Sequence, residues 1–192
     1  MPRPSRLTGV TSLQVHYERT KTRVERIQNN HPATTVTLHH GDAVFRPSAV
    51  DHPLDPASVS PPFTSILALD CAYHFDTRNA FLKQSFARLS SGGRIALADI
   101  CFTSAALQRR WIGLVAALGM PAANMISPVK YVQDMEELGF ADVALEDVTD
   151  DVFPGFVRFL QSRGIGWWIF GTVVKWYVGL GVRFVIVAGT RR

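Results

Sequence analysis

The sequence contains few cysteines and few charged residues, and each scarcity excludes a class of protein. Cys71 and Cys101 are its two cysteines, and both fall at or near the ends of predicted strands, which excludes a disulfide framework. Charged residues make up 19% of the chain and hydrophobic residues 47%, which excludes a disordered protein. A chain of 192 residues can form a proper core, and we expect a single domain over residues 1–192.

The formal net charge of +4 is too small to indicate a nucleic-acid partner. The basic residues near the amino end fall on one amphipathic helix and the arm before it. They lack interleaved aromatic residues and match no nucleic-acid-binding module, so a solvated helix face explains them better. The first thirty residues contain no apolar segment of the signal-peptide type, and we expect a cytoplasmic protein.

The segment 63–102 is the most informative part of the chain. An apolar run over 65–69 precedes a helical pattern over 79–89, and a second apolar run follows over 94–100. A strand–helix–strand unit of this length predicts a parallel sheet. Ligands of such sheets bind beyond the carboxyl ends of the strands, which places residues 70–75 at the mouth of a site.

The rest of the chain continues the alternation of strands and helices. A Pro-rich loop is predicted over 51–62. Ser127-Pro128 predicts the start of a helix with proline at its first position, and Gly139 predicts its end. The other predicted elements are strands over 34–38, 140–147 and 183–189 and helices over 14–28 and 105–118.

The segment 63–102 resembles the class I S-adenosylmethionine-dependent methyltransferases, in the small-molecule branch near the sterol, tocopherol and sugar O-methyltransferases. The family's fourth strand ends in a pattern like that of residues 69–75, and a helix and a glycine turn then lead to a strand like 96–99. Ser90 and Ser91 replace the usual Lys-Pro of the turn, whereas its two glycines are kept. The resemblance implies an α/β, Rossmann-like doubly wound sheet with an antiparallel last strand. It also implies S-adenosyl-L-methionine as cofactor and a small, apolar methyl acceptor.

The resemblance also implies which residues bind the cofactor. The exit of the second strand would contact the ribose, a Gly-Asp-Ala element after the third strand would contact adenine, and the end of the fourth strand completes the site. Residues 11 and 12 have an alternative role as a helix N-cap. The implied cofactor residues are Thr11, Ser12, Gln14, Asp42, Ala43, Asp70, Cys71 and Ala72.

His74 and Tyr73 are the candidate catalytic residues, because they lie where a base or a positioning group would act. Methyl transfer is an in-line displacement that needs positioning, and it needs a base only when the acceptor carries a proton. Alternatively, Tyr73 lines the cofactor cleft and His74 is an ordinary hydrogen-bonding residue. His39 and His40 lack a second ligand cluster at suitable spacing, so no metal site is predicted.

Residues 7–101 form the cofactor side of the predicted domain, and residues 102–192 form the substrate side. Within the latter, 164–182 contains three of the four tryptophans, five glycines and one charged residue, Lys175. A buried helix or a lid over the active site is one interpretation of this segment. Contact with a membrane surface is the second, and a membrane span is the third.

One part of the family pattern does not occur in the sequence. The first strand and its glycine-rich turn, of the type Asp/Glu-x-Gly-x-Gly-x-Gly, have no counterpart among the 192 residues. In the family order 3-2-1-4-5 this strand lies between strands two and four, so its lack predicts direct pairing of those two strands or a gap. We therefore expect a chain shortened at its amino end with impaired methyl transfer. The alternative is a non-catalytic remnant that binds a lipid or a partner.

Overall fold

A computed structural model of the chain describes residues 4–30, 34–109 and 119–192. The chain divides into two compact units, residues 1–60 and 61–192, and each is described by itself. The single domain expected from the sequence stays a prediction.

The first unit is a strand–helix–strand unit followed by a long loop. Strand β1 (Arg6–Thr11), helix α1 (Gln14–Asn30) and strand β2 (Thr35–His40) follow one another. The two strands pair in parallel from Arg6 opposite Thr35 to Thr11 opposite His40. Residues 41–62 form no helix or strand, as the prolines of 51–62 predicted.

The second unit contains a four-stranded sheet of order β3-β4-β6-β5. Its strands are β3 (Phe63–Leu69), β4 (Leu89–Phe102), β5 (Phe140–Asp147) and β6 (Val182–Arg191). Strand β3 is parallel to β4, whereas β6 is antiparallel to both of its neighbours. The expected mixed α/β fold with an antiparallel last strand is confirmed. Among the described residues the ladders form two separate sheets, β1-β2 in the first unit and these four strands in the second.

Helices precede or follow each strand of the second unit. The start of α4 is the clearest from sequence, because Ser127 accepts a hydrogen bond from the backbone N–H of Lys130 and proline occupies the first turn. Most of the helix predicted over 105–118 lies outside the described residues. The helices are α2 (Arg78–Arg88), α3 (Ser104–Leu107), α4 (Pro128–Glu137), α5 (Thr149–Gln161) and α6 (Ile165–Gly179).

The glycine turn before β4 differs from the prediction in one respect. Strand β4 begins at Leu89 and includes the turn residues, because the ladder with β3 continues through an irregularity between Phe63 and Ser65. Gly92 has φ +75°, as the resemblance to the family turn implied. A Cβ at Gly93 would lie 2.8 Å from the carbonyl oxygen of Ser90, so this position also requires glycine.

The core of the second unit lies on one face of β4. Ile95, Leu97, Asp99 and Cys101 alternate along the strand and are all fully buried. Val185 and Val187 of β6 are buried as well, and each such aliphatic side chain contributes about 1.5–3 kcal/mol by burial. The buried carboxylate of Asp99 in this row needs a compensating charge, and Arg78 supplies it.

Candidate functional site

The ends of β1 and β2 bring the predicted ribose and adenine residues of the first unit together. The backbone N–H of Gly41 donates to the carbonyl oxygen of Thr11 at 3.0 Å, so Asp42 follows directly beside the exit of β1. Ser12 and Gln14 lie at the start of α1, where the Gln14 amide donates to Glu18 at 2.5 Å. Thr11 Oγ1 accepts only a long contact of 3.4 Å from the N–H of Leu13, so its hydroxyl is a weak helix cap.

Asp42 belongs to a turn that a buried histidine fixes. Its Oδ1 accepts from the N–H of Val44 at 3.0 Å, and its Oδ2 lies 3.9 Å from Arg46 Nε. The Nδ1 of His52 accepts from the N–H of Leu54 at 3.0 Å, so its Nε2 carries the proton and donates to the carbonyl of Asp42 at 2.9 Å.

A cavity of about 280 Å³ lies beside this turn in the first unit, lined by Gly41, Asp42, Val44 and His52 among others. The Asp42 carboxylate is half-exposed and keeps acceptor capacity for a ligand. Ala43 follows it and is partly buried.

The end of β3 forms a second polar group. Asp70 has φ +54°, a conformation that aspartate tolerates better than most residues, and its N–H donates to the carbonyl of Ala98 at 2.8 Å. Cys71 follows half-buried and Ala72 fully buried, and a short 3-10 turn covers Ala72–His74. Burial first, and then the charge of Asp99, raise the pKa of the Cys71 thiol to about 11.

Tyr73 and His74 are adjacent, with ring centroids 4.2 Å apart, yet their chemistry differs. Burial, followed by the charge of Asp70 and a hydrogen bond to it, raises the pKa of Tyr73 far above its ordinary value. Tyr73 is therefore protonated at neutral pH and acts as a donor. The Nδ1 of His74 lies 3.2 Å from the carbonyl oxygen of Gly119, which can only accept, so Nδ1 is the donor in this contact and the lone pair of the neutral ring is on Nε2.

Asn124, from a distant part of the chain, fixes the backbone of this turn. Its side-chain amide donates to the carbonyl of Tyr73 at 3.0 Å and to that of Phe75 at 2.6 Å, while its Oδ1 accepts from the N–H of Arg78 at 2.8 Å. The side chain is fully buried and uses both its donors and its acceptor.

A buried ion pair continues the network into the core. Arg78 Nε lies 2.7 Å from Asp99 Oδ2, and the Tyr131 hydroxyl donates to the same oxygen at 2.9 Å. The other guanidinium nitrogens donate to the carbonyls of Asn124 and Ile100 at 2.9 and 2.8 Å. Burial raises the pKa of Asp99, and the charge of Arg78 opposes that rise.

The sequence interpretation missed these positioning residues. The sequence placed Asp99 only in the strand that resembles the family's, and it assigned Asn124 no role. The contacts join residues 46 positions apart, and no local spacing reveals them. One signal was present in the sequence, since Asp99 interrupts an otherwise apolar strand.

The two polar groups lie in different units, and their convergence at one cofactor stays a prediction. Within the described ranges, no three histidine, cysteine or acidic side chains are grouped so that they could hold a metal ion. Across the same ranges, no helix is both long and apolar enough to cross a bilayer.

Comparison with known proteins extends the resemblance beyond the motifs. No family model matches the chain. It is 26% identical over 166 residues to erythromycin 3''-O-methyltransferase of Saccharopolyspora erythraea, a match that covers 82% of this chain and 50% of that protein. The structure of geranyl diphosphate C-methyltransferase from Streptomyces coelicolor A3(2), solved with S-adenosyl-L-homocysteine, superposes with a TM-score of 0.72. That match has 18% identity and covers 98% of this chain and 63% of that one.

The chain has the fold of the class I S-adenosylmethionine-dependent methyltransferases. The resemblance drawn from the sequence is thereby confirmed, and S-adenosylmethionine is the cofactor of this class. The methyltransferase fold also occurs in a [4+2]-cyclase, SpnF, with a TM-score of 0.68, 16% identity and coverage of 97% of this chain and 66% of that one. The chain spans about half the length of the curated methyltransferase that it matches.

Proposed function

We propose that this chain contributes to S-adenosylmethionine-dependent methyl transfer to a small, apolar acceptor. The observation that carries the proposal is the turn after β3, where Asn124 clamps the carbonyls of Tyr73 and Phe75. A turn whose backbone is held at Tyr73 and Phe75 fixes the points from which the side chains of Tyr73 and His74 start, and an in-line displacement requires such positioning of a protein. The sequence similarity to a curated methyltransferase supports the same reaction class.

The residues present fit one half of the cofactor. The Asp42 carboxylate has free acceptor capacity for an exocyclic amine, and the backbone N–H of Ala43 is a candidate donor to the adenine ring. The hydroxyls of Thr11 and Ser12, with Gln14, are candidate ribose contacts, and the family resemblance assigns Asp70, Cys71 and Ala72 to the same cofactor. For the methionine carboxylate the 192 residues offer no glycine-rich turn. When bound, S-adenosylmethionine supplies an electrophilic methyl group on a sulfonium sulfur.

The roles of the two catalytic candidates follow from their hydrogen bonds. Because Nδ1 of His74 donates to Gly119, Nε2 of the neutral ring would accept the proton of an acceptor hydroxyl as the methyl group is transferred. Tyr73 would not serve as a base, because burial and Asp70 keep it protonated. We propose that Tyr73 donates a hydrogen bond to Asp70 and lines the site.

An additional strand beside β3 is part of this proposal. Parallel strands are normally covered on both faces, yet Leu67 and Leu69 of β3 are 68% and 70% exposed. Strand β3 pairs with β4 on one edge. A further parallel strand with a glycine-rich turn, from a longer form of the protein or from a second chain, would pair with the other edge of β3. The helix after it would cover Leu67 and Leu69, and its turn would bind the cofactor carboxylate. Without it, we expect residues 1–192 to bind the cofactor weakly.

A methyl-transfer assay tests the reaction class. Tritium-labelled S-adenosylmethionine would be incubated with the chain and a panel of macrolide glycosides, isoprenoid alcohols and isoprenoid diphosphates. We expect label in an organic product when the additional strand is supplied. A protein that binds the cofactor tightly and labels no member of the panel would contradict the assignment of the acceptor.

A non-catalytic lipid- or partner-binding role is the second candidate. The exposed apolar side of α6, which includes Ile165 and Ile169, favours it. The sequence encoded upstream of residue 1 would distinguish between the two functions. An in-frame Asp/Glu-x-Gly-x-Gly-x-Gly after an apolar run favours the enzyme, and its lack favours the binding role.

A further inference from the structure

Helix α6 is apolar over most of its surface, with Lys175 as its one charged residue, although only one side is packed. On that side Gly171 is buried against α5, where a Cβ would lie 3.2 Å from the carbonyl oxygen of Val157 and 3.3 Å from Leu160 Cβ. The absence of a side chain at Gly171 thus lets the two helices approach closely. A helix with apolar residues all round is normally buried on all sides, in a core or in lipid.

The opposite side of α6 carries a stripe of exposed apolar residues. Ile165, Ile169, Val173 and Trp176 recur at intervals of four, four and three residues, so they share one side of the helix. Their exposed fractions are 84%, 56%, 39% and 54%. We call these four residues the outer stripe. Phe159 of α5, 55% exposed, adds to the exposed apolar surface of the helix pair. A surface of this kind marks an interaction site.

The charge of this region is mostly positive. Asp150 and Asp151 lie in the first turn of α5, at the end away from the turn to α6, whereas residues 152–192 contain no aspartate or glutamate and six arginines and lysines. Arg158, Arg163 and Lys175 are exposed on the two helices or the turn between them. The guanidinium of Arg163 lies 5.4 Å from the ring centroid of Phe159, so cation and aromatic ring are adjacent. Aromatic and aliphatic residues mixed with cations complement an anionic lipid surface, where tryptophan is enriched.

The length of α6 decides between lying on a bilayer and crossing it. Its 15 residues extend about 22 Å, whereas the hydrocarbon core of a bilayer is about 30 Å thick. A helix of this length with apolar residues and flanking cations lies in the plane of the interface.

We propose that helices α5 and α6 dock on the surface of an anionic lipid bilayer, with the outer stripe inserted at the boundary between headgroups and acyl chains. The three exposed cations contact the anionic headgroups. This docking does not depend on methyl transfer, and its test uses no cofactor.

The test measures binding of the full chain to vesicles by co-sedimentation and by tryptophan emission. Vesicles of phosphatidylcholine mixed with phosphatidylglycerol should sediment the protein and shift its emission to the blue, since α6 holds three of the four tryptophans. Vesicles of phosphatidylcholine alone should bind it several-fold more weakly, and added salt should weaken binding to the anionic vesicles.

Two variants and one matched control assign the binding to this surface. Ile169→Glu should weaken binding at least about tenfold, because it places a carboxylate in the outer stripe. Lys175→Gln should weaken it about fivefold through the loss of one cation. Val129→Glu is the control: Val129 is an equally exposed aliphatic residue, on α4, and its replacement should leave binding unchanged.

Three results would overturn the proposal. The first is no sedimentation of the wild-type chain with anionic vesicles, and the second is equal binding by the Ile169→Glu and Val129→Glu proteins. The third is a dimer in sedimentation velocity that Ile169→Glu dissociates and that does not bind vesicles, which would assign the outer stripe to a second copy of the chain.

Discussion

Arg78 and Asp99 form an ion pair of 2.7 Å in which both side chains are almost completely buried, at 2% and 0% exposure. The pair joins the start of α2 to the centre of β4, and Asn124 extends it to the turn that carries Tyr73 and His74. The stability of the core and the geometry of the candidate site therefore depend on the same contacts.

The first prediction concerns this ion pair. Asp99→Asn removes the charge that compensates a buried guanidinium, so it should lower the free energy of unfolding by about 3–5 kcal/mol. The matched control is Asp142→Asn, which breaks an ion pair of the same 2.7 Å length to Arg192, with both side chains mostly exposed. It should cost no more than about 1 kcal/mol. Urea unfolding of both proteins checks the difference, and equal losses would contradict the role of burial.

The second prediction concerns the thiol of Cys71, whose pKa is raised from its ordinary 9.0 to about 11. Burial disfavours the thiolate, so the folded protein holds this proton more tightly than the unfolded chain. The resulting stabilisation is complete below about pH 9 and is lost as the pH rises through about 11. Alkylation by iodoacetamide should be slow at pH 8 and should accelerate up to about pH 11. Cys71→Ser should remove the alkylation that accelerates with pH. A fast reaction at pH 8 would show that the Cys71 thiol is exposed to water and would contradict the prediction.

The third prediction concerns Gly171, where α5 and α6 touch. Gly171→Val adds side-chain atoms at a site where even a Cβ would lie 3.1–3.3 Å from neighbouring atoms. We expect a loss of about 1–3 kcal/mol from overpacking. Gly166→Ala in the same helix meets nothing within 4 Å and should be neutral or stabilising by up to about 1 kcal/mol. Thermal unfolding compares them, and an unchanged Tm for Gly171→Val would argue against close packing.

The local elements could be predicted from sequence because their signals are local. Ser127 followed by Pro128 marks the start of α4, and β5 was predicted with the bounds that it has. The antiparallel direction of β6 came from the family resemblance. Its position between β4 and β5 was not predicted, since pairing between distant strands leaves no local pattern.

The candidate site was only partly predictable for the same reason. The order of residues 69–75 identified the turn after β3, but the clamp by Asn124 depends on chain segments that meet only in the fold. The left-handed conformation of Asp70 has no sequence signal comparable to that of glycine. The helix over 164–182 was interpreted first as buried or as a lid, because an apolar pattern does not tell packed from exposed faces. The outer stripe of α6 is exposed.

The fourth prediction separates the roles of His74 and Tyr73. In a form of the protein that transfers methyl groups to a hydroxyl acceptor, His74→Gln should lower kcat about 10²–10⁴-fold and leave the Kd for S-adenosylhomocysteine unchanged. Tyr73→Phe removes the hydrogen bond to Asp70 and should have a smaller effect. His16→Gln, at an exposed histidine of α1, is the control and should leave kcat unchanged. Equal activity of the His74→Gln and His16→Gln proteins would show that His74 is not the base.

The most direct test of the account is isothermal titration of S-adenosylhomocysteine into two proteins. One is the 192-residue chain, and the other is the same chain joined at its amino end to a segment that supplies an apolar strand followed by an Asp/Glu-x-Gly-x-Gly-x-Gly turn. Two charge-assisted hydrogen bonds to the cofactor carboxylate, at about 1.5–3 kcal/mol each, correspond to a difference in Kd of a hundredfold or more. The account predicts micromolar binding by the joined protein, its loss in an Asp42→Ala variant, and at least hundredfold weaker binding by the 192-residue chain. Micromolar binding by the 192-residue chain alone, or a joined protein in which Asp42→Ala changes nothing, would contradict it.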